Sequence, residues 1–198
     1  MKQLTARGER TRQKLLEAAE RIFAELGYHD ASIVKITEAA GVAQGTFYLY
    51  FEGKKQVFDE VVLDLNSRVR HAMTEAAERG QTRAERELLG FGAFFRFTAE
   101  HPALYRIIRQ AEFVSPETLV IHYERLTGGY VTGLRQAMEA GEVAEGDPEV
   151  LAWSLMGIGE LVGMRWILWN GETEMPEAIF DELARIIVRV LGAQDLDP

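Results

Sequence analysis

The sequence predicts an all-α protein of about nine helices, a three-helix helix-turn-helix head followed by a helical body. Three observations predict it. Apolar residues recur at helical spacing, as in Leu15, Ala19, Ile22, Phe23 and Leu26. No stretch alternates apolar and polar residues as a half-buried strand requires. Proline and glycine punctuate the chain where helices begin and end: Ser115-Pro116-Glu117 and Asp147-Pro148-Glu149 are start signals, and Gly27, Gly141 and Gly171 are stops.

In chain order, residues 1–8 read as a disordered basic arm, and a first amphipathic helix ends at Gly27. Ser32 is an N-cap for a two-turn helix with Ile33, Ile36 and Ala40 on one face. Gly41 gives the tight turn its backbone freedom, Val42 plugs the corner, and a short helix runs from Gln44 to Tyr50. Glu52-Gly53 breaks it. A long fourth helix then starts at Lys54, with Val57, Phe58, Val61, Val62, Leu65 and Val69 as its buried side. Beyond Gly80, helices are expected over 83–100, 103–113, 116–140, 148–170 and 176–191, with His101-Pro102 as an interruption. A boundary at Gly53 divides a head of residues 1–53 from a body of 54–198.

Composition narrows the function. With 198 residues and 47% hydrophobic content the chain can bury a sizeable core. It has no cysteine, which excludes a disulfide framework, a thiolate metal site and a cysteine nucleophile. The four histidines are scattered, and no HExxH, GxSxG or glycine-rich phosphate loop occurs, so no enzyme, metal or cofactor is expected. The N-terminus lacks an apolar leader and no run approaches a membrane span, so a cytoplasmic protein is expected. Net charge is −9, but residues 1–55 carry +2 and the remainder −11. That split fits a duplex-facing head on a body that phosphates repel.

Within the short helix, Phe47 and Phe51 are four apart and should point inward, leaving Gln44, Thr46, Tyr48, Leu49 and Tyr50 outside. A packed αα corner gives no reason for two exposed tyrosines, whereas a DNA groove does. Gln44 matches adenine, or guanine at lower specificity. Ser32, Thr46, Tyr48 and Tyr50 suit phosphates, Gly45 lets the backbone approach closely, and Lys54 at a helix start favours phosphate.

The run AGVAQGTFYLYFEGKKQVF, with the amphipathic helix before it, resembles the DNA-binding signature of the tetracycline-repressor (TetR) family of transcription regulators. The resemblance is specific over residues 10–58 and architectural beyond. It implies that Gln44, Thr46, Tyr48, Tyr50 and Lys54 contact a double-stranded DNA operator. Ala43 stands where the family has a capping serine, and Val34 where some members carry a base-reading arginine, which leaves Lys35 for the backbone.

The body is rich in aromatics, and a stripe of them at helical spacing serves as core or as pocket. The family resemblance implies an apolar effector cavity, with Phe91, Phe95, Tyr105, Phe113, Tyr123 and Trp166 as its lining. Arg106 and Arg109, three apart, are a solvated face or the seat of an anionic head group. HPALYRIIRQAEF and YVTGLRQAMEAGEV are similar to members that sense acyl-coenzyme A, and a cationic drug-like inducer with Glu112 or Glu160 as counter-charge is the rival. The resemblance also implies a homodimer through the last two long helices, at Leu155, Ile158, Val162, Leu183 and Ile187.

Overall fold

The computed structural model describes residues 5–193. Nine α-helices are present among them: α1 (Ala6–Asp30), α2 (Ile33–Ala40), α3 (Gln44–Phe47), α4 (Lys54–Ala77), α5 (Arg83–Glu100), α6 (Ala103–Val114), α7 (Pro116–Glu139), α8 (Pro148–Gly163) and α9 (Glu177–Leu191). A π-helical segment, Met164–Trp169, continues α8. The chain divides into two compact units, Met1–Leu65 with Ala103–His122, and Asn66–Pro102 with Tyr123–Pro198. Helix α4 runs through both.

Two start signals differ from expectation. Helix α1 begins at Ala6, because the Thr5 hydroxyl accepts from the Gly8 amide at 3.2 Å, so residues 6–8 of the expected arm are helical. The rest of that arm, residues 1–4, lies outside the described residues. At the repeated Ser/Asp-Pro-Glu signal, Asp147 caps α8 as expected, accepting from the Glu149 and Val150 amides at 2.8 and 3.1 Å. The Ser115 hydroxyl instead turns sideways: it accepts from Lys55 Nζ at 2.8 Å and lies 3.0 Å from Glu117 Oε1. Lys55 also reaches Asp59 and Glu117 (2.9 and 2.6 Å), and its ammonium holds the Glu117 carboxyl down to about 2.

In the first unit, Leu15, Ala19, Phe23, Ile36, Phe47, Phe51, Val57, Phe58, Val61, Val62 and Leu65 are all buried. The periodicity identifies the inner face of α4 and most of that of α1, where Ile22 is half-buried and Leu26, beside the break at Gly27, is exposed. The rings of Phe23 and Phe58 meet edge-on at 5.2 Å, the arrangement their quadrupoles favour. Helix α1 packs on α2 and on α6.

In the second unit, α5 packs on α8 and α9 around Phe91, Phe95, Leu134, Leu155, Leu183, Ile187 and Leu191. The composition gave no hint of a buried polar cluster beside this core: Arg83 pairs with Glu87, and the Tyr130 hydroxyl donates to the same carboxylate. Burial pushes the Glu87 carboxyl up, against the pull of the Arg83 guanidinium. The segment Pro148–Trp169, 22 residues long, is apolar enough to cross a membrane by length and composition, where the sequence is expected to hold no such run. Its inner side, with Ala152, Leu155, Gly159 and Gly163, faces the core of this unit.

His122 is buried, and desolvation holds its imidazole down to about 4, against an ordinary value of 6.5. The unfolded chain therefore binds this proton more readily than the folded one between those values, and stability rises with pH across that window. Chemical denaturation at pH 4.5 and 6.5 should show a difference on the order of 2–3 kcal/mol in the parent protein. His122→Gln should reduce that difference by most of this amount; an unchanged pH dependence would show that another group carries it.

Candidate nucleic-acid interface

Gly27, at φ 77° and ψ 163°, breaks α1 one turn before its end, a conformation that disfavours any side chain. The last carbonyls of the helix are left without helical partners, and an ammonium placed there is favoured by both charge and hydrogen bonding. Two lysines supply it. Lys54 Nζ donates to the carbonyl oxygens of Tyr28 (2.7 Å), Ala31 (2.9 Å) and His29 (3.3 Å), and lies 4.3 Å from the centre of the Tyr28 ring. Lys35 Nζ donates to the Asp30 oxygen at 3.0 Å. The amide of Tyr28 in turn donates to Gln110 Oε1 of α6 at 2.6 Å. An ammonium has three donors, and all three of Lys54 are engaged inside the head. Both lysines, expected at phosphates, here meet carbonyl oxygens at the end of α1.

Helix α2 starts as expected, with the Ser32 hydroxyl accepting from the Lys35 amide at 3.2 Å. It ends at Gly41 in the left-handed region (φ 67°), where the Val42 amide returns to Thr37 O at 3.0 Å. Helix α3 has no side-chain cap at Ala43, as that residue implies. A tight turn prolongs it, through Leu49 N to Thr46 O (3.2 Å) and Tyr50 N to Phe47 O (3.0 Å).

Phe47 and Phe51 are buried with ring centres 5.3 Å apart, and the Arg12 guanidinium, paired with Glu60, lies 5.2 Å from the centre of the Phe51 ring. Gln44, Gly45, Tyr48 and Leu49 are exposed on the other side, with Thr46 and Tyr50 half-buried. No charged residue lies between Gln44 and Phe51. Exposed cations sit instead at Arg7, Arg10 and Lys14 on α1. Such a surface has hydrogen-bonding and apolar groups on its reading face and positive charge on a neighbouring helix, the division that base contact and phosphate contact require.

The residues expected to line an effector cavity are divided between the units. Tyr105, Arg106, Arg109 and Phe113 belong to the first, where Tyr105 is buried and the two arginines stand on the exposed side of α6. Phe113 is 82% exposed, so it lines no enclosed cavity in this conformation. Phe91 and Phe95 are core residues of the second unit, and Tyr123 and Trp166 are half-buried there. The residues expected at a dimer contact differ in their burial within the chain. Leu155, Leu183 and Ile187 are filled by contacts within the chain, and only Ile158 and Val162 keep some exposed surface. Helical spacing marks an apolar stripe but not which of two neighbours covers it. The exposed apolar side chains of α8 and α9 are Val150, Trp153, Leu161, Ile186 and Val190.

Replacing Lys54 by methionine should leave the α1 carbonyls without their donors and cost about 1–3 kcal/mol of stability. The salt dependence of DNA binding should not change. A reduced salt slope with an unchanged melting temperature would return Lys54 to phosphate contact.

Residues 15–61 match the family described as bacterial regulatory proteins, tetR family. A transcriptional regulator of the helix-turn-helix type from Bacillus subtilis, YdgC, is 32% identical over 195 residues, covering 93% of this chain and 94% of that protein. The fatty acid metabolism regulator protein of the same organism is 27% identical over 161 residues, 78% of this chain and 82% of that one. Among solved structures, the transcriptional regulator FadR from Bacillus subtilis in complex with stearoyl-CoA has the same fold, with a TM-score of 0.76 at 21% identity over 92% of this chain and 99% of that one. With a relative of this identity along nearly its whole length and a helix-turn-helix whose reading face is exposed, the chain is a DNA-binding transcriptional regulator, not an enzyme, and belongs to the TetR family.

Proposed function

We propose that this regulator is a repressor that binds a roughly palindromic duplex operator as a homodimer and is released by an acyl-coenzyme A. The exposed, uncharged face of Gln44, Gly45, Thr46, Tyr48, Leu49 and Tyr50 carries the DNA half of this reading. Ser32 joins it as a phosphate contact, and Lys35 and Lys54 hold it in place. A protein that works on bacterial operator DNA works in the cytoplasm. Residues 1–53 take the DNA, and 54–198 take the effector and the second copy.

A single one-turn recognition helix gives little affinity alone, so a two-fold dimer matching a palindrome is favoured. Val150, Trp153 and Leu161 follow one another at helical spacing along α8, and Leu161 is 61% exposed. Gly157 lies between them with open space where a Cβ would be, which allows a second helix to approach closely. With Ile186 and Val190 of α9 they form the face we assign to the partner copy. Leu161→Glu should give a folded monomer with unchanged melting behaviour by light scattering and calorimetry. Ile187→Glu should instead unfold the chain, because it places a charge in the core. A Leu161→Glu protein that stays dimeric would refute this face.

The ligand class is supported by the relative named for fatty acid metabolism, whose likeness extends well beyond the head. Acyl chains suit an apolar helical body, and a ligand that binds the DNA-incompetent state better releases DNA in proportion to that difference. One observation favours a second reading, a cationic aromatic inducer. The Glu160 carboxylate has a neutral partner, the Tyr123 hydroxyl at 3.0 Å, and the Tyr123 ring is 5.7 Å from Trp153. A carboxylate beside two rings attracts an organic cation. Titrating the DNA complex with an acyl-coenzyme A, the free acid, free coenzyme A and a cationic dye separates the two. Release by the thioester alone is expected; release by the dye alone would establish the second reading.

A further inference from the structure

The recognition face has an unusual centre. Phe47 and Phe51 anchor α3 to the head, and Leu49 points away from them with 75% of its surface exposed. Among the described large hydrophobic residues only Phe113 is more open. Leaving an isobutyl group in water forgoes the stabilisation that burying it would bring. No neighbour within the chain uses it. Gly45, one turn earlier, presents no side chain, and a Cβ there would meet nothing within 4 Å, so another surface can come close beside Leu49.

The chemistry of the face is equally restricted. Guanine is read in the major groove by a guanidinium or ammonium on its O6 and N7. From Gln44 to Phe51 there is neither, Val34 occupies the exposed first turn of α2, and the ammonium groups of Lys35 and Lys54 are engaged on carbonyl oxygens of α1. With the hydroxyls of Thr46, Tyr48 and Tyr50 assigned to phosphates, the face keeps one amide, Gln44, which matches adenine N6 and N7 better than guanine, and one prominent alkyl group. The 5-methyl of thymine is the alkyl group that a major groove offers.

We propose that Leu49 is a specificity-determining residue that packs on the 5-methyl group of a thymine, and that the base pairs under α3 in each operator half-site are A·T. This rests on the DNA-binding reading above and adds to it the class of sequence recognised. The test uses the full-length protein and begins with selection of bound duplexes from a random pool. The selected half-sites should be A·T at the steps nearest their centre. Each thymine of a selected site is then replaced in turn by deoxyuridine, which removes the methyl group and leaves the pairing intact. One replacement per half-site should weaken binding about fourfold, the fold-change that corresponds to burying one methyl-sized group at about 0.8 kcal/mol. Leu49→Ala, whose side chain supports no core, should fold and melt like the parent and bind the thymine and deoxyuridine sites equally.

Selected sites with G·C pairs under the helix would overturn the proposal, as would a parent protein indifferent to every deoxyuridine replacement. Discrimination that survives in Leu49→Ala would overturn the assignment to Leu49. A pool that yields no bound duplex at all would refute the DNA-binding reading itself, a result distinct from all of these.

Discussion

The head depends on how the end of α1 is held. A helix broken at Gly27 leaves a cluster of carbonyl oxygens pointing the same way, and such groups left unpaired destabilise a fold by more than an average contact returns. Lys54, the first residue of α4, meets three of them, and Lys35, in the first turn of α2, meets a fourth. Each lysine comes from a different helix, so their donors fix the angles at which α2 and α4 leave α1. The position of α3 follows, since the turn from Gly41 to Ala43 is short and Phe47 and Phe51 are buried beneath it.

Helix α6 enters the same arrangement. Gln110 takes the Tyr28 amide one residue past the break, and its own side-chain amide donates to Arg106 O at 2.8 Å, which holds it in that orientation. Lys55 makes the second tie, to Ser115 and Glu117 at the start of α7. That tie is largely solvated and therefore weak and salt-sensitive. The Gln110 contact is more sheltered than the Lys55–Glu117 pair. Gln110 thus joins α6 to the end of α1 that Lys35 of α2 and Lys54 of α4 also hold.

Much of this was legible in the sequence, and the reason differs by feature. Every helix was readable because proline, glycine and capping residues act locally, and the buried faces of α1 and α4 because a 3.6-residue period survives without tertiary knowledge. What a side chain does at long range was less legible. Lys54 and a phosphate-binding lysine look alike in sequence, since the carbonyls that engage it lie 23 to 26 positions earlier. Leu155 and Ile187 illustrate the same limit for apolar groups: α8 and α9 each have two apolar sides, and only packing against α5 decides which is internal. Glu87 shows it for polar groups: its pairing with Arg83 has the i,i+4 spacing a sequence shows, but its contact with Tyr130 joins α5 to α7 across 43 positions.

Affinity and sequence choice are separated in this head by the chemistry of its two surfaces. The face proposed to read the bases is neutral, so contacts it makes with base edges on that proposal are short-ranged and nearly independent of salt. The exposed cations of α1, at Arg7, Arg10 and Lys14, act through the phosphate field, which is long-ranged and screened by ions. A positive head of +2 on a remainder of −11 leaves attraction to DNA confined to one end of the chain. Encounter with any duplex is then weak and orientation-dependent, and residence depends on whether the groove offers groups that an amide and an aliphatic side chain can use. Placing an arginine at Val34 or Leu49 would add non-specific attraction together with guanine preference. Keeping those positions aliphatic lets the face discriminate among sequences without raising its affinity for all of them.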